Sequence, residues 1–249
     1  MIYALLMRRI WLWQNRLLSS IVLLLALPVL IYGLISVSFK NIMVQSLSGV
    51  PFDIWVIPGL IFIISSLGLF PLLYRDFFDL RIHRKVLVNV ALAPYRKREL
   101  IGGYLCVAGI EAFLIGIISL LVISGFTAYS YSLLESFALL LCLVLYLFLL
   151  GNLFISMGLL IDTVTTLFLM TALNFIFLLF GNGFIIEFGF FPVNLATFLQ
   201  WLPISIPFQI FQLFNQTGLM DWALFTGLTI FGLLWTLANT SILKRKLQH

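Results

Sequence analysis

Charge is scarce in this chain: of 249 residues, 9% are Asp, Glu, Lys or Arg, 63% are hydrophobic, and the mean hydropathy is +1.17. A domain that must wet its whole surface needs far more polar residues, so water is excluded as the main solvent. Histidine and cysteine are nearly absent. His83 and His249 leave no material for a histidine metal cluster or a histidine-based triad. Cys106 and Cys142 lie inside apolar runs, lack the spacing of a metal site or disulfide framework, and read as packing residues. No Gly-x-Ser-x-Gly elbow occurs. A P-loop needs a glycine directly before the lysine that reaches the phosphates, and none of Lys40, Lys85, Lys97, Lys244 or Lys246 follows one. The chain is therefore expected to have no catalytic, cofactor or metal residues of its own. No cleavable signal peptide is evident, since the first apolar run follows Arg8, Arg9 and Arg16 without a convincing small-residue cleavage site.

What the chain has in abundance is apolar length. Runs of about 20 residues, each able to cross a hydrocarbon core of about 30 Å as a helix, recur throughout. Stretches such as Ile21 to Ile35 and Leu133 to Leu150 are apolar all round, whereas barrel strands alternate. The expected fold class is an all-α integral membrane protein with six spans, near 18–39, 53–74, 101–126, 133–160, 165–186 and 221–243. Thirteen of the 14 Lys and Arg then fall on one side, with Lys40 alone opposite. By the positive-inside rule both termini are cytoplasmic. The net charge of +5 sits in these short gaps, where it reports orientation, and nucleic acid is not an expected partner.

Residues 1–17 read as an interfacial amphipathic helix. Arg8, Arg9, Asn15 and Arg16 share about a third of a helical wheel, while Tyr3, Leu6, Ile10, Trp11, Trp13 and Leu17 occupy the rest. Such a helix lies on anionic lipid, with tryptophans at headgroup depth. The other reading is a first span that begins earlier. In the remaining six-span domain, 18–249, the sizeable cytoplasmic surface is 75–100, with seven basic and three acidic residues. Its apolar members, including Phe77, Phe78, Leu80, Val86, Leu87 and Val88, need something to pack against, either the bilayer surface or a docked partner.

From Gly181 to Thr217 the chain is apolar, yet Pro192, Pro203 and Pro207 interrupt it. Proline removes an amide donor and clashes with the preceding turn, so 187–217 is expected as an extracytoplasmic re-entrant helical hairpin, with a kinked loop as the alternative. Glu111 lies about ten positions into the third span, where an ionised carboxylate costs several kcal/mol unless protonated, paired or wetted. It is a candidate for the translocation path or gate, or for a structural hydrogen bond between helices. Asp53, Glu135 and Asp162 stand at expected helix starts, as caps. Glu187 rims the broken segment. Two sequons, Asn215-Gln-Thr217 and Asn239-Thr-Ser241, carry little weight, the second lying within the last span.

This order of elements resembles the permease subunit of type-2 ABC exporters. The local text agrees: Leu92-Ala-Pro94-Tyr-Arg96-Lys97-Arg98-Glu99 leads into the third span, and Gly189-Phe-Phe191-Pro192, Trp201, Pro203 and Pro207 precede the last. The resemblance covers almost the whole chain through loose, mostly apolar motifs. It departs at the start of the cytoplasmic segment, where the family often carries Glu-rich text and this chain has Arg75, Asp76 and Asp79. The resemblance implies a permease of the bacterial inner membrane, paired with a second copy or close paralogue. It also implies a separate cytoplasmic P-loop ATPase, with ATP and Mg bound in that partner. Asp76, Asp79, Arg81, Arg84 and Lys85 would then belong to the ATPase-coupling segment, with Ile161 to Thr165 as a smaller contact. Glu111, Phe191, Pro192 and Trp201 would belong to the path or gate. Such exporters move lipids, lipid-linked glycans, drugs or peptides. A non-transporting scaffold or assembly factor would share the spans and the charge bias but need no ATPase, and a membrane enzyme is a weaker third reading.

Overall fold

A computed structural model of the protein describes residues 2–15, 17–40, 42–47, 49–85, 96–127 and 131–248. Among these the regular structure is helical. The main elements are α1 (Ile2–Gln14), α2 (Leu17–Tyr32), α3 (Ile57–Leu73), α4 (Lys97–Phe126), α5 (Leu133–Leu160), α6 (Val164–Gly181), α7 (Val193–Gln200), α8 (Ile206–Thr217) and α9 (Trp222–Gln248). Six helical stretches are long and apolar enough to cross a membrane: Ser20–Lys40, Phe52–Ile82, Lys97–Phe126, Leu133–Leu160, Val164–Gly181 and Trp222–Lys246. They overlap the six expected runs, but the third begins at Lys97 rather than 101, the fifth stops at Gly181 rather than 186, and the second is extended. The second does not stop near residue 74 but passes through a π-helical turn, Tyr74–Asp79, into Leu80–Ile82, so the start of the charged segment continues the same helix.

The packing is centred on α3 and α5. Leu60, Ile61, Phe62 and Ile64 of α3, and Leu143, Tyr146, Leu149 and Leu150 of α5, are fully buried. α4 packs along α3 and α5, α9 and α8 pack on α5, and α1 and α2 lie against α4. The outer helices turn large side chains outward: Leu18, Ile21 and Leu23 on α2, Phe168, Leu169 and Leu173 on α6, Ile230, Leu233 and Leu234 on α9. Apolar faces of this extent need lipid or a partner as cover, which fits a multi-pass membrane protein.

Polar side chains join the helices where sequence gives little sign of it. Asn152 and Asn239, both fully buried, connect α5 to α9. The Asn239 amide donates to the Asn152 carbonyl at 3.0 Å, Ser156 donates to Asn239 Oδ1 at 2.7 Å, and Thr236 donates to Asn152 Oδ1 at 3.0 Å. Hydrogen bonds of this kind between membrane helices contribute about 0.6 kcal/mol each, since the separated helices find other partners.

Helix ends follow local chemistry. Ser132 and Glu135 form a capping box at the start of α5, with Glu135 N donating to Ser132 Oγ and Ser132 N to Glu135 Oε2. Asp53 lies in a first helical turn and binds Lys40 at 3.0 Å. Asp162, expected as a cap, is not one. Thr163 takes that position, its hydroxyl accepting from Thr166 N, and Asp162 is drawn instead to two cations. The prolines break the chain as expected. Pro192 precedes α7, Pro207 occupies the first turn of α8 where no amide donor is lost, and Gly218, at φ +72°, closes α8 in the left-handed conformation.

Candidate functional site

The candidate site residues separate into one largely buried and one more exposed charge group at the end of the bundle rich in Lys and Arg, and an aromatic group at the other end. The first charge group is built around Arg9. Its Nε lies 3.5 Å from Glu111 Oε2 and its Nη2 3.8 Å from Asp76 Oδ2, while Arg75 donates to Asp76 Oδ1 at 2.8 and 3.0 Å. Trp13 Nε1 donates to Glu111 Oε1 at 2.9 Å. Two acids and two guanidiniums thus join α1, the π-helical turn and α4. The cluster is largely shielded from solvent, with the Arg9, Asp76 and Glu111 side chains 12%, 5% and 16% exposed. Burial lowers the Arg9 pKa from its usual value, and the facing carboxylate of Glu111 opposes that shift.

Glu111 is therefore paired, one of the three conditions its position demands. The helical wheel of α1 is corrected in one respect: Arg9 points into the protein, whereas Arg8 is exposed. Arg16, assigned to the same polar face, lies outside the described residues.

The second group holds the remaining coupling candidates. Asp79 binds Arg84 at 2.9 Å and lies 3.3 Å from His83 Nδ1. Lys85 is exposed and takes φ +51°, a left-handed conformation uncommon for a residue with a side chain. Arg81 turns inward, donating to Asp162 Oδ1 at 2.5 Å and to the Ile161 carbonyl. Lys246 near the end of α9 reaches the same carboxylate at 3.1 Å. Asp162 thereby joins three segments distant in sequence. Residues 86–95, including Pro94 and the apolar Val86, Leu87, Val88 and Val90, lie outside the described residues.

The Lys246 hydrogen bond, followed by those from Arg81, holds the Asp162 carboxyl below its ordinary 3.8. A depressed carboxylate stabilises the fold above its unfolded value and loses that contribution as pH falls through the folded one. The junction is thus intact at neutral pH and opens only below about pH 4. Asp162 is 58% exposed, so Asp162→Asn should cost no more than about 1 kcal/mol of stability. Its sharper effect should be faster amide exchange at residues 80–82 and 244–246, read by hydrogen–deuterium exchange. Unchanged protection at both segments would deny the junction a restraining role.

At the opposite end, Phe62, Tyr146, Phe184 and Phe208 form a closed aromatic cluster with ring centroids 4.8–5.6 Å apart. Tyr146 and Ser66 share a hydrogen bond of 2.6 Å. The cluster anchors the broken segment between α6 and α8. The same segment carries the gate candidates: Phe191 half-buried, Pro192 exposed, and Trp201, 77% exposed, in the turn between α7 and α8. Glu187 accepts from Leu47 N at 3.0 Å, joining this segment to the connection after α2, and burial raises its pKa. The structure therefore separates Glu111, at the Arg9 cluster, from Phe191, Pro192 and Trp201.

Sequence reasoning missed Arg9, Trp13 and Lys246 as partners of the singled-out acids. The available signal was arithmetic: a carboxylate within an apolar run requires a cation, and the basic residues are few. Among the described residues no group of His, Cys, Asp and Glu could hold a metal ion. In comparisons with protein-family models, curated proteins and solved structures, nothing matches this chain.

Proposed function

We propose that the chain is the permease subunit of an ATP-driven exporter, with six spans, both termini in the cytoplasm of a bacterium, and a re-entrant hairpin formed by α7 and α8 at the outer face. The observation that carries this reading is the Asp162 junction. The two segments expected to meet an ATPase, residues 75–85 and the turn after α5, are bonded to each other there through Arg81. A partner pressing on either would move both. The broken, aromatic-anchored hairpin at the far end supports an outer gate.

Helix lengths support a matching depth for the charge cluster. At 30 residues α4 is about 45 Å long, against a hydrocarbon core of about 30 Å. If the excess lies at its basic end, Glu111 stands near the cytoplasmic interface, at the level where α1 rests on the membrane, and Arg9 neutralises it there.

Purification of the tagged chain from its native membrane in nanodiscs, with mass spectrometry of stoichiometric partners, tests the reading. A P-loop ATPase near one copy per chain is the expected result. Consistent recovery without one would favour a membrane scaffold. Within that complex, Arg84→Glu with Lys85→Glu should reduce ATPase recovery by about tenfold, the effect of losing about 1.4 kcal/mol of binding. Reversal at Arg81 is expected to weaken association too, though it also breaks the Asp162 junction, so the exposed pair is the cleaner probe. Trp201→Ala and Pro192→Ala should impair transport while leaving the complex assembled.

A further inference from the structure

The face of α8 turned away from the core carries a row of uncharged amides. Gln209, Gln212 and Gln216 follow at intervals of three and four on one stripe of the helix with Asn215 at its flank, while Pro207 and Ile210 are buried on the other side and the buried Phe208 and Phe211 line the first cleft beside the amides. Two clefts of about 520 and 500 Å³ flank this stripe, and Gln212 and Gln216 line both. Trp55 and Tyr131 wall the first, Trp201 and Phe188 the second, and among the described residues no charged side chain lines either. Gln209 is engaged, donating to the Gln200 carbonyl at 2.9 Å. The side-chain amides of Gln212, Asn215 and Gln216 make no hydrogen bond among the described residues.

We propose that these joined clefts bind an uncharged, polyhydroxylated ligand, a saccharide. A primary amide carries both donors and an acceptor, the pairing that a hydroxyl, itself both donor and acceptor, can satisfy in any orientation. Aromatic walls add an apolar surface for the carbon–hydrogen face of a sugar ring. The absence of lining charge disfavours an anionic or cationic ligand. An acyl chain has a better site elsewhere, in the cleft of about 400 Å³ lined by Ile110, Phe113, Leu147, Phe148 and Leu233. A neutral peptide is the competing ligand, since side-chain amides also pair with a peptide backbone, and the test sets the two against each other. The assignment goes beyond the exporter reading and does not depend on it, because equilibrium binding requires no ATPase.

The test is saturation-transfer NMR on the full chain in nanodiscs, with neutral hexasaccharides of glucose, mannose and N-acetylglucosamine as probes and a neutral Gly-Ser hexapeptide alongside. Transfer to at least one saccharide is expected, with affinity falling about tenfold in the Gln212→Leu, Gln216→Leu double variant and the melting midpoint retained. Asn215→Asp, at an exposed position, gives the same comparison should the double variant fail to fold. Three results would overturn the proposal: no transfer to any saccharide at millimolar concentration, equal binding by the folded variants, or displacement of the saccharide by the peptide.

Discussion

Glu111→Leu should destabilise the chain by about 3–5 kcal/mol, the typical cost of removing one partner from a buried ion pair. The loss arises from what remains. Arg9 keeps only the longer contact to Asp76 at 3.8 Å, and Trp13 loses its acceptor. Glu111→Gln should cost less, because the amide oxygen still accepts from Trp13. The decisive comparison is the double variant Arg9→Met, Glu111→Leu, which removes both charges and fills the space with apolar side chains. It should recover most of the stability, since well-packed hydrophobic replacements of buried pairs are often neutral. Unfolding of the parent, Glu111→Leu, Arg9→Met and the double variant in one detergent gives the coupling energy. If Glu111→Leu alone lies within about 0.5 kcal/mol of the parent, a value typical of plain surface substitutions, Arg9 is solvated and the cluster has no structural weight.

A second large effect is expected at Gly59. A Cβ added there would lie 2.3 Å from the Phe184 carbonyl oxygen and 2.9 Å from its Cα. These are backbone atoms, so no rotamer change relieves the overlap. The stretch of chain between α6 and the hairpin must shift, taking Phe184 out of the aromatic cluster. Gly59→Ala should therefore cost about 1–3 kcal/mol, the usual penalty for overpacking, and Gly59→Val more. Gly227 supplies the control. It lies in α9, and a Cβ added there would meet nothing within 4 Å, so Gly227→Ala should be neutral or stabilising by about 0.5–1 kcal/mol. Equal melting of the two alanine variants would show that the Gly59 approach is not needed.

The helices were legible because a bilayer imposes length and apolarity on every span, and those properties reside in each run by itself. The breaks in the segment after α6 were legible for a similarly local reason, since Pro192 and Pro207 dictate where the short helices α7 and α8 begin. Pairings were not. The wheel of α1 groups Arg8 with Arg9, yet which of them turns inward depends on Asp76 and Glu111, far along the chain. Asp162 looks like a cap because it precedes a helix, but Thr163 can cap equally well, and only the fold brings Arg81 and Lys246 alongside. Asn152 and Asn239 each stand alone in an apolar run, and their connection exists only once α5 and α9 are in contact.

The Asp162 carboxylate gives the bundle a mechanical property. The end of the α3 extension, the turn after α5 and the end of α9 meet at this one carboxylate, so a displacement of residue 81 is felt first by the hydrogen bonds of Arg81 and only then by the turn and by Lys246. A link this exposed acts as a latch: it sets the resting arrangement of three helix ends and yields at a cost of about 1 kcal/mol.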